Sequence, residues 1–459
     1  MLNTTNIRRS ILVASALVAV LTIATRAEAP AIFAITGARI VTAAGPAIEA
    51  GTVVIRNGVI EAVGATVTAP NDAWIIDGKG LSVYPGLIDM GSAAGLDQTM
   101  PAQPQNPRTR EEVERWKRQM ILRPQVNAAA LVRPDAPDLK RLAGAGITTI
   151  LAVPPGSIVR GTSALINVAV ADDDPQYGDI ADERRGRYVV RTPIALHVAF
   201  RDRAAGDAYP DSLYGAIAFV RQAFLDAGHY QLAMQRWNGT KGAADRPVYD
   251  QALAALQPAL ERKVPVAFDA AESVDIRRAL AMAREFKLDP IITGALEADQ
   301  VLADLKAQKA RVLYSLNYPV RSRLLAPDAD EPVRVLRQRA NAPRVPGVLE
   351  KEVVPFAFQS GGLRDPRDFV RNAAKAVKAG LSPDAAVRAM TINAATIAGA
   401  GDRLGSIEKG KAANLIVTSG DLFDEKMTIK HVFVDGKPVV VEAAPAAPAG
   451  GRGRGGQRR

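Results

Sequence analysis

Tyr84-Pro85-Gly86-Leu87-Ile88-Asp89-Met90-Gly91-Ser92-Ala93 marks the place where the chain changes character. Upstream, residues 35–63 alternate apolar and polar side chains, with turn signals at Ala44-Gly45-Pro46 and Arg56-Asn57-Gly58. Asn-Gly suits the positive φ angles of a tight hairpin, so this part predicts a hairpin-rich β unit. Ile75-Ile76-Asp77-Gly78-Lys79-Gly80 closes that unit and feeds a strand over 82–88. Downstream, to Gly399, short β-branched runs alternate with amphipathic stretches, the pattern of βα units around a parallel sheet. The runs at 147–153, 164–170, 194–200, 264–269, 290–293, 312–316 and 354–359 join 82–88 to give the eight strands that a (β/α)8 barrel needs. Helices are expected at 212–225, 250–261, 275–286, 298–307 and 366–379. Short strands return after Gly401, at 414–418 and 431–434, the latter before an Asp435-Gly436 turn. The expected fold is therefore α/β: a (β/α)8 TIM-like barrel over 85–400, with a small β-sandwich built from 30–84 and 401–440.

The two ends read differently from the body. Residues 1–29 have the layout of a signal peptide, with Arg8 and Arg9 ahead of an apolar run over 11–24 and small residues at Ala27 and Ala29. The run is shorter than the roughly 20 residues a membrane span takes, so cleavage is expected, after Ala27, Ala29 or Ala31. An exported protein, periplasmic or secreted, follows. The absence of cysteine excludes disulfides, thiolate metal sites and a cysteine nucleophile. The formal charge of +10 falls to about +4 once Arg8, Arg9, Arg26 and Glu28 leave with the leader and Arg452, Arg454, Arg458 and Arg459 are assigned to the tail. A body so nearly balanced predicts no nucleic-acid partner. Residues 441–459, Ala/Pro and then Gly/Arg-rich, cannot supply a core and are expected to be a disordered, solvated tail.

Residues 84–89 resemble the amidohydrolase superfamily, whose motif runs Pro-Gly-Leu-Ile-Asp-x-His-x-His at the end of the first barrel strand. The segment from Gly405-Ser406-Ile407 through Ala413-Asn414-Leu415 is similar to the family's returning strand, and that from Leu381-Ser382-Pro383-Asp384 through Asn393-Ala394-Ala395 to its closing helix. The resemblance spans roughly residues 35–440 and is to the imidazolonepropionase-like and dihydroorotase-like metal-dependent hydrolases. It implies a barrel with a sandwich at its side, and metal held by histidines and carboxylates at the strand ends.

At the family's ligand positions this chain has other residues. Gly91 and Ala93 stand where the first-strand histidines belong, Asp269 at the fifth-strand histidine, Thr293 at the next, and Gly361 at the eighth-strand aspartate. Gly, Ala and Thr do not hold a divalent ion strongly. The run 194–200 contains no lysine to bridge two metals. No metal is therefore expected, and no cofactor, unless a site has been rebuilt.

Among the three histidines, His197 lies on an alternating strand that suits an inward-facing position, His229 is placed as a helix-end residue, and His431 begins a terminal strand. The stretch from Gly156 to Ser163 echoes a phosphate loop without its lysine, and reads either as a polar loop at the barrel mouth or as an anion-accepting nest beside Arg160. No Gly-x-Ser-x-Gly elbow is present. The candidate pocket residues are His197, Asp269, Glu272, Arg160, Ser163 and Thr293.

The leading expectation is a catalytically degenerate amidohydrolase-like protein that binds a small amide- or peptide-like ligand. It would act alone, as a homo-oligomer, or as the partner subunit of an active relative. The alternative is a working hydrolase of carbon–nitrogen bonds, in non-peptide, cyclic or dipeptide-like amides, with a site rebuilt on Asp269, His197 and nearby carboxylates. A third reading is a metal-free enzyme using 156–163 as an oxyanion or phosphate cradle.

Overall fold

A computed structural model of the chain describes residues 32–102, 105–106, 108–134, 136–169, 181–201, 209–240, 245–326 and 328–440. The expected leader, 1–29, and tail, 441–459, lie outside the described residues.

Strands β1 (Ile32–Ile40) and β2 (Ile48–Arg56) pair antiparallel, and β3 (Val59–Gly64) folds back on β2. Asn57 and Gly58 turn that hairpin at φ 50° and 83°, the left-handed region that these two residue types tolerate best. Strands β4 (Trp74–Asp77) and β5 (Leu81–Pro85) run parallel to β1. After Gly86 the chain leaves this sheet as β6 (Leu87–Ser92). A Cβ on Gly86 would lie 2.8 Å from Thr148 Cβ, so only glycine lets the two sheets approach at the crossing.

The barrel strands follow: β7 (Ile147–Ala152), β8 (Val159–Thr162), β9 (Ala164–Asn167), β10 (Val189–Arg191), β11 (Leu196–Ala199), β12 (Val266–Ala270), β13 (Pro290–Gly294), β14 (Arg311–Ser315) and β15 (Phe356–Gln359). They lie in two hydrogen-bonded arcs, β6-β7-β9-β10 and β8-β11-β12-β13-β14-β15. Ladders β6–β7 and β11 through β15 are parallel. The expected parallel strand at 164–170 is a correction, because β9 runs antiparallel to β7 and β8 antiparallel to β11. A parallel neighbour needs a crossover of about a dozen residues or more, usually a helix, and no helix separates β7, β8 and β9.

Ser163 is the hinge by which the chain passes from one arc to the other. Its N–H donates to Ala195 O, and Ile194 N–H donates back to Ser163 O, both at 2.9 Å. On the opposite side, Asp89 joins the first and last strands. Its Oδ1 accepts from Ser360 N at 2.7 Å and from Gly91 N at 3.1 Å, while Ser360 Oγ donates to Gly91 O at 3.1 Å.

Strands β16 (Leu415–Ser419), β17 (Thr428–Val434) and β18 (Lys437–Val439) return to the first sheet, β16 lying antiparallel to β5. Both chain ends thus share one eight-stranded sheet with an apolar core of its own, which includes Phe33, Ile55, Val83, Leu415 and Phe433. The β-rich unit expected from the terminal segments is present as this single continuous sheet.

A buried polar cluster ties it to the barrel. Asn414 Nδ2 donates to Thr149 Oγ1 and Asn167 Oδ1, Asn414 Oδ1 accepts from Asp435 N, and Asn167 Nδ2 donates to Asp435 Oδ2, all within 2.7–3.1 Å. One helix differs from expectation. Leu213–Gly239 runs well past residue 225, so His229 lies inside the helix rather than at its end.

Candidate functional site

Alternation along the barrel strands decides which side chains face inward. Leu196 and Val198 pack outward in the main core, which turns His197 between them into the barrel. Val159 likewise packs outward and Arg160 inward. Ala267 belongs to the interior cluster with Ile88, Met90, Ile291, Leu313 and Ala357, so Asp269, two residues on, faces the same way at the C-terminal end of β12.

Arg160 and Asp269 meet there. Nη2 lies 2.7 Å from Oδ2, with the two side chains 17% and 35% exposed, and Arg160 Nε donates to Ser157 O at 3.4 Å. His197 is buried, and burial together with the Arg160 charge lowers its pKa from 6.5 to about 3. The imidazole is therefore neutral across the physiological range, and its buried Nε2 has no hydrogen-bond partner. Thr293 is the register neighbour of Asp269 on β13 and donates its hydroxyl to Phe268 O at 3.4 Å.

Four sequence-predicted residues, Arg160, His197, Asp269 and Thr293, are thus gathered on the inner face of the barrel. Two are placed elsewhere. Ser163 is buried and donates to Ala195 O at 3.3 Å, serving the hinge. Glu272 stands on the outer rim, where Arg334 Nη1 lies 3.1 Å from it. Within the stretch 156–163, Val159–Thr162 form β8, and residues 156–158 are the bend that leads into it. The N–H of Thr162 is taken by Val126 O and that of Ser163 by Ala195 O, so neither amide is open to an anion.

Two residues that sequence reasoning passed over complete the site. Gln359 ends β15 and donates Nε2 to Leu313 O at 3.0 Å. A Cβ built on Gly91 would lie 3.0 Å from Gln359 Cβ and 3.1 Å from its Cδ, with Oε1 closer still. Ser315 ends β14, and its Oγ accepts from Asn317 N at 3.2 Å. A Cβ on Gly361 would lie 3.3 Å from both Ser315 Cβ and Asn317 Cβ, with Ser315 Oγ closer, and Gly361 itself sits at φ 59°. The space that side chains at 91 and 361 would need is filled by Gln359 and Ser315. The only signal in the sequence was adjacency: Gln359 stands two residues before Gly361.

Asp89, beneath this layer, is fully buried. Desolvation raises its carboxyl above the ordinary range, against the pull of its bonds from Ser360 and Gly91, and Oδ2 has no partner.

Residues 297–439 match the family model described as the amidohydrolase family. The match is confined to the C-terminal part of the chain, and the solved structures share its fold. Among solved structures the chain is similar to an amidohydrolase from Thermotoga maritima MSB8, at 23% identity over 89% of this chain and 99% of that one, with a TM-score of 0.69. It is also similar to a putative prolidase from Bifidobacterium longum, at 19% identity over 90% and 95%, TM-score 0.54. A third likeness is to a Xaa-Pro dipeptidase with bound methionine in its active site, at 16% identity over 89% and 99%, TM-score 0.52. No curated protein matches the chain in sequence.

The resemblance to amidohydrolases implies a metal at the barrel mouth, but the residues that this chain places there do not fit one. Among the described residues no three His, Asp or Glu side chains gather as a metal cluster. The one inner carboxylate at a ligand position is paired with a guanidinium, which repels a cation from the same oxygen. The one inner imidazole keeps its Nε2 buried.

Proposed function

We propose that this chain is an exported, catalytically degenerate amidohydrolase relative whose barrel mouth binds a small amide- or peptide-like ligand, alone or as the partner subunit of an active relative. The observation that carries this reading is the Arg160–Asp269 ion pair. It places a fixed guanidinium where the superfamily's chemistry calls for a divalent cation. Gln359 and Ser315 support the reading by filling the room beside Gly91 and Gly361.

A metal-free mouth lined by Arg160, Asp269, Thr293, Ser315 and Gln359 still offers donors and acceptors suited to amide groups. The other reading, a hydrolase of carbon–nitrogen bonds with a rebuilt site, requires Arg160 to release Asp269 and His197 to expose Nε2.

The test uses the full chain, purified and then supplied with zinc, manganese or nickel, assayed by elemental analysis and against Xaa-Pro dipeptides and cyclic amides. The expected result is metal well below one equivalent and no turnover, with the dipeptides acting as ligands that raise the unfolding midpoint. One equivalent of metal, with metal-dependent turnover lost in Asp269→Ala and His197→Ala, would establish the hydrolase instead.

A further inference from the structure

The helix Val333–Asn341 faces the wrong way for a helix that helps to build a core. None of its residues is buried, and Val333 and Leu336 are 60% and 45% exposed. With exposed Ala340 they fall at i, i+3 and i+7, one apolar stripe turned toward solvent. Its polar side chains hold it to the barrel. Arg334 reaches Glu272 at 3.1 Å, Gln338 Nε2 donates to Glu297 Oε1 at 3.1 Å, and Arg339 lies 2.5 Å from Glu331.

The segment before the helix is curled in the same sense. Arg321 Nη2 donates to the carbonyls of Ala326 and Ala329, each at 2.8 Å, and Nη1 meets Glu331 at 3.0 Å. This clasp leaves Leu324 97% exposed, with Val320 and Leu325 exposed beside it. Arg323 and Arg337 are exposed among these aliphatic side chains. The segment leaves the C-terminal end of β14, and Glu272 and Glu297 follow β12 and β13, so the patch occupies the rim of the barrel mouth.

We propose that this rim binds an anionic lipid surface. Val320, Leu324, Leu325, Val333 and Leu336 enter the boundary between headgroups and acyl chains, and Arg323 and Arg337 pair with lipid phosphates. Burying a Leu or Val fully favours the apolar phase by roughly ten- to a hundredfold, so a handful of such side chains suffices for reversible attachment. The chemistry favours lipid over a protein partner. Protein interfaces are anchored by aromatic residues and arginine seated in pockets. Here the protruding side chains are aliphatic, and the guanidinium fork matches phosphate geometry. The inference stands apart from the ligand reading of the mouth, since none of these residues lines it.

The experiment is co-sedimentation of the full chain with vesicles of phosphatidylcholine alone and of equimolar phosphatidylcholine and phosphatidylglycerol. Binding to the mixed vesicles is expected to be about tenfold or more the stronger, and to weaken with salt. The Leu324→Asp, Leu336→Asp pair is expected to lower it at least about tenfold. The Arg323→Gln, Arg337→Gln pair is expected to remove most of the preference for the anionic lipid. Replacing Arg452, Arg454, Arg458 and Arg459 by glutamine is expected to leave it. If the aspartate pair fails to fold by circular dichroism, the Leu324→Ser, Leu336→Ser pair carries the same expectation.

Loss of binding in the tail variant with retention in the rim variants overturns the proposal. So does absence of binding to both vesicles. Self-association that the Leu324 and Leu336 variants abolish, with no vesicle binding, assigns the patch to a second copy of the chain and overturns it as well.

Discussion

His197 shows how far one side chain departs from its ordinary chemistry when a strand turns it inward. Its pKa of about 3 in the folded chain lies below the 6.5 of an exposed imidazole, so the unfolded chain takes up a proton first as pH falls. The stability due to this group is complete above pH 6.5 and declines below it by about 1.4 kcal/mol per pH unit until the folded imidazole also titrates. In urea melts, the wild type should lose roughly 2 kcal/mol more than His197→Gln between pH 7 and pH 5. Equal losses in the two proteins would mean that the imidazole is already charged when folded. Asp89 has the opposite sign. Its raised carboxyl favours the protonated folded state, so its contribution is present at acid pH and fades as pH rises above the ordinary carboxylate value. Asp89→Asn keeps an oxygen for the Ser360 and Gly91 amides. It is expected to raise the melting midpoint at pH 7 and to lose that advantage toward pH 3. Gly91 and Gln359 form a third case, in which the two side-chain volumes exclude one another. Gly91→Ala should cost about 1–3 kcal/mol in the wild type and at least about 0.5 kcal/mol less in a Gln359→Ala background. Additive losses in that double-mutant cycle would remove the packing argument.

Elements here are joined by a few polar residues as well as by apolar contact. Asn414, at the entrance to β16, holds Thr149 of β7, Asn167 of β9 and the backbone of Asp435 in one buried cluster. Asn414→Ala strands several of these groups at once, each worth about 1–3 kcal/mol when left unpaired, so a loss of roughly 3 kcal/mol is expected in chemical denaturation. A loss below about 0.5 kcal/mol would show that water replaces the side chain at no cost. The antiparallel turn of β8 and β9 was hidden in the sequence. Both segments carry the β-branched residues of a strand, but direction depends on the length and path of the connection, which periodicity does not encode. The long helix Leu213–Gly239 was cut short in the sequence reading because its stripe weakens past residue 225, where only Ala227 is buried.

At the scale of the molecule, the barrel and the terminal sheet do not form separable pieces. The sheet takes strands from both ends of the chain, β5 runs into β6 across a single residue, and Tyr84 and Asp435 contribute to both units. Calorimetry of the full chain is therefore expected to show one cooperative transition, and two resolved transitions would contradict this linkage. Zinc in excess is expected to leave the midpoint unmoved. A site filled at about 100 times its Kd would add about 2.7 kcal/mol, which the same scan would detect.

The local pattern was sufficient to determine the α/β alternation, the strand returning after residue 401, the family resemblance and the absence of histidine at residues 91, 93 and 293. These are properties of residue type and spacing, and they survive whatever the chain packs against. What only the tertiary structure decided was which groups meet. Arg160 and Asp269 are 109 residues apart, and Gln359, at the end of the last barrel strand, fills space beside Gly91 on the first. Such pairings depend on strand order and inward register, quantities set by the closure of the sheet and by packing over the whole core rather than by any segment taken alone.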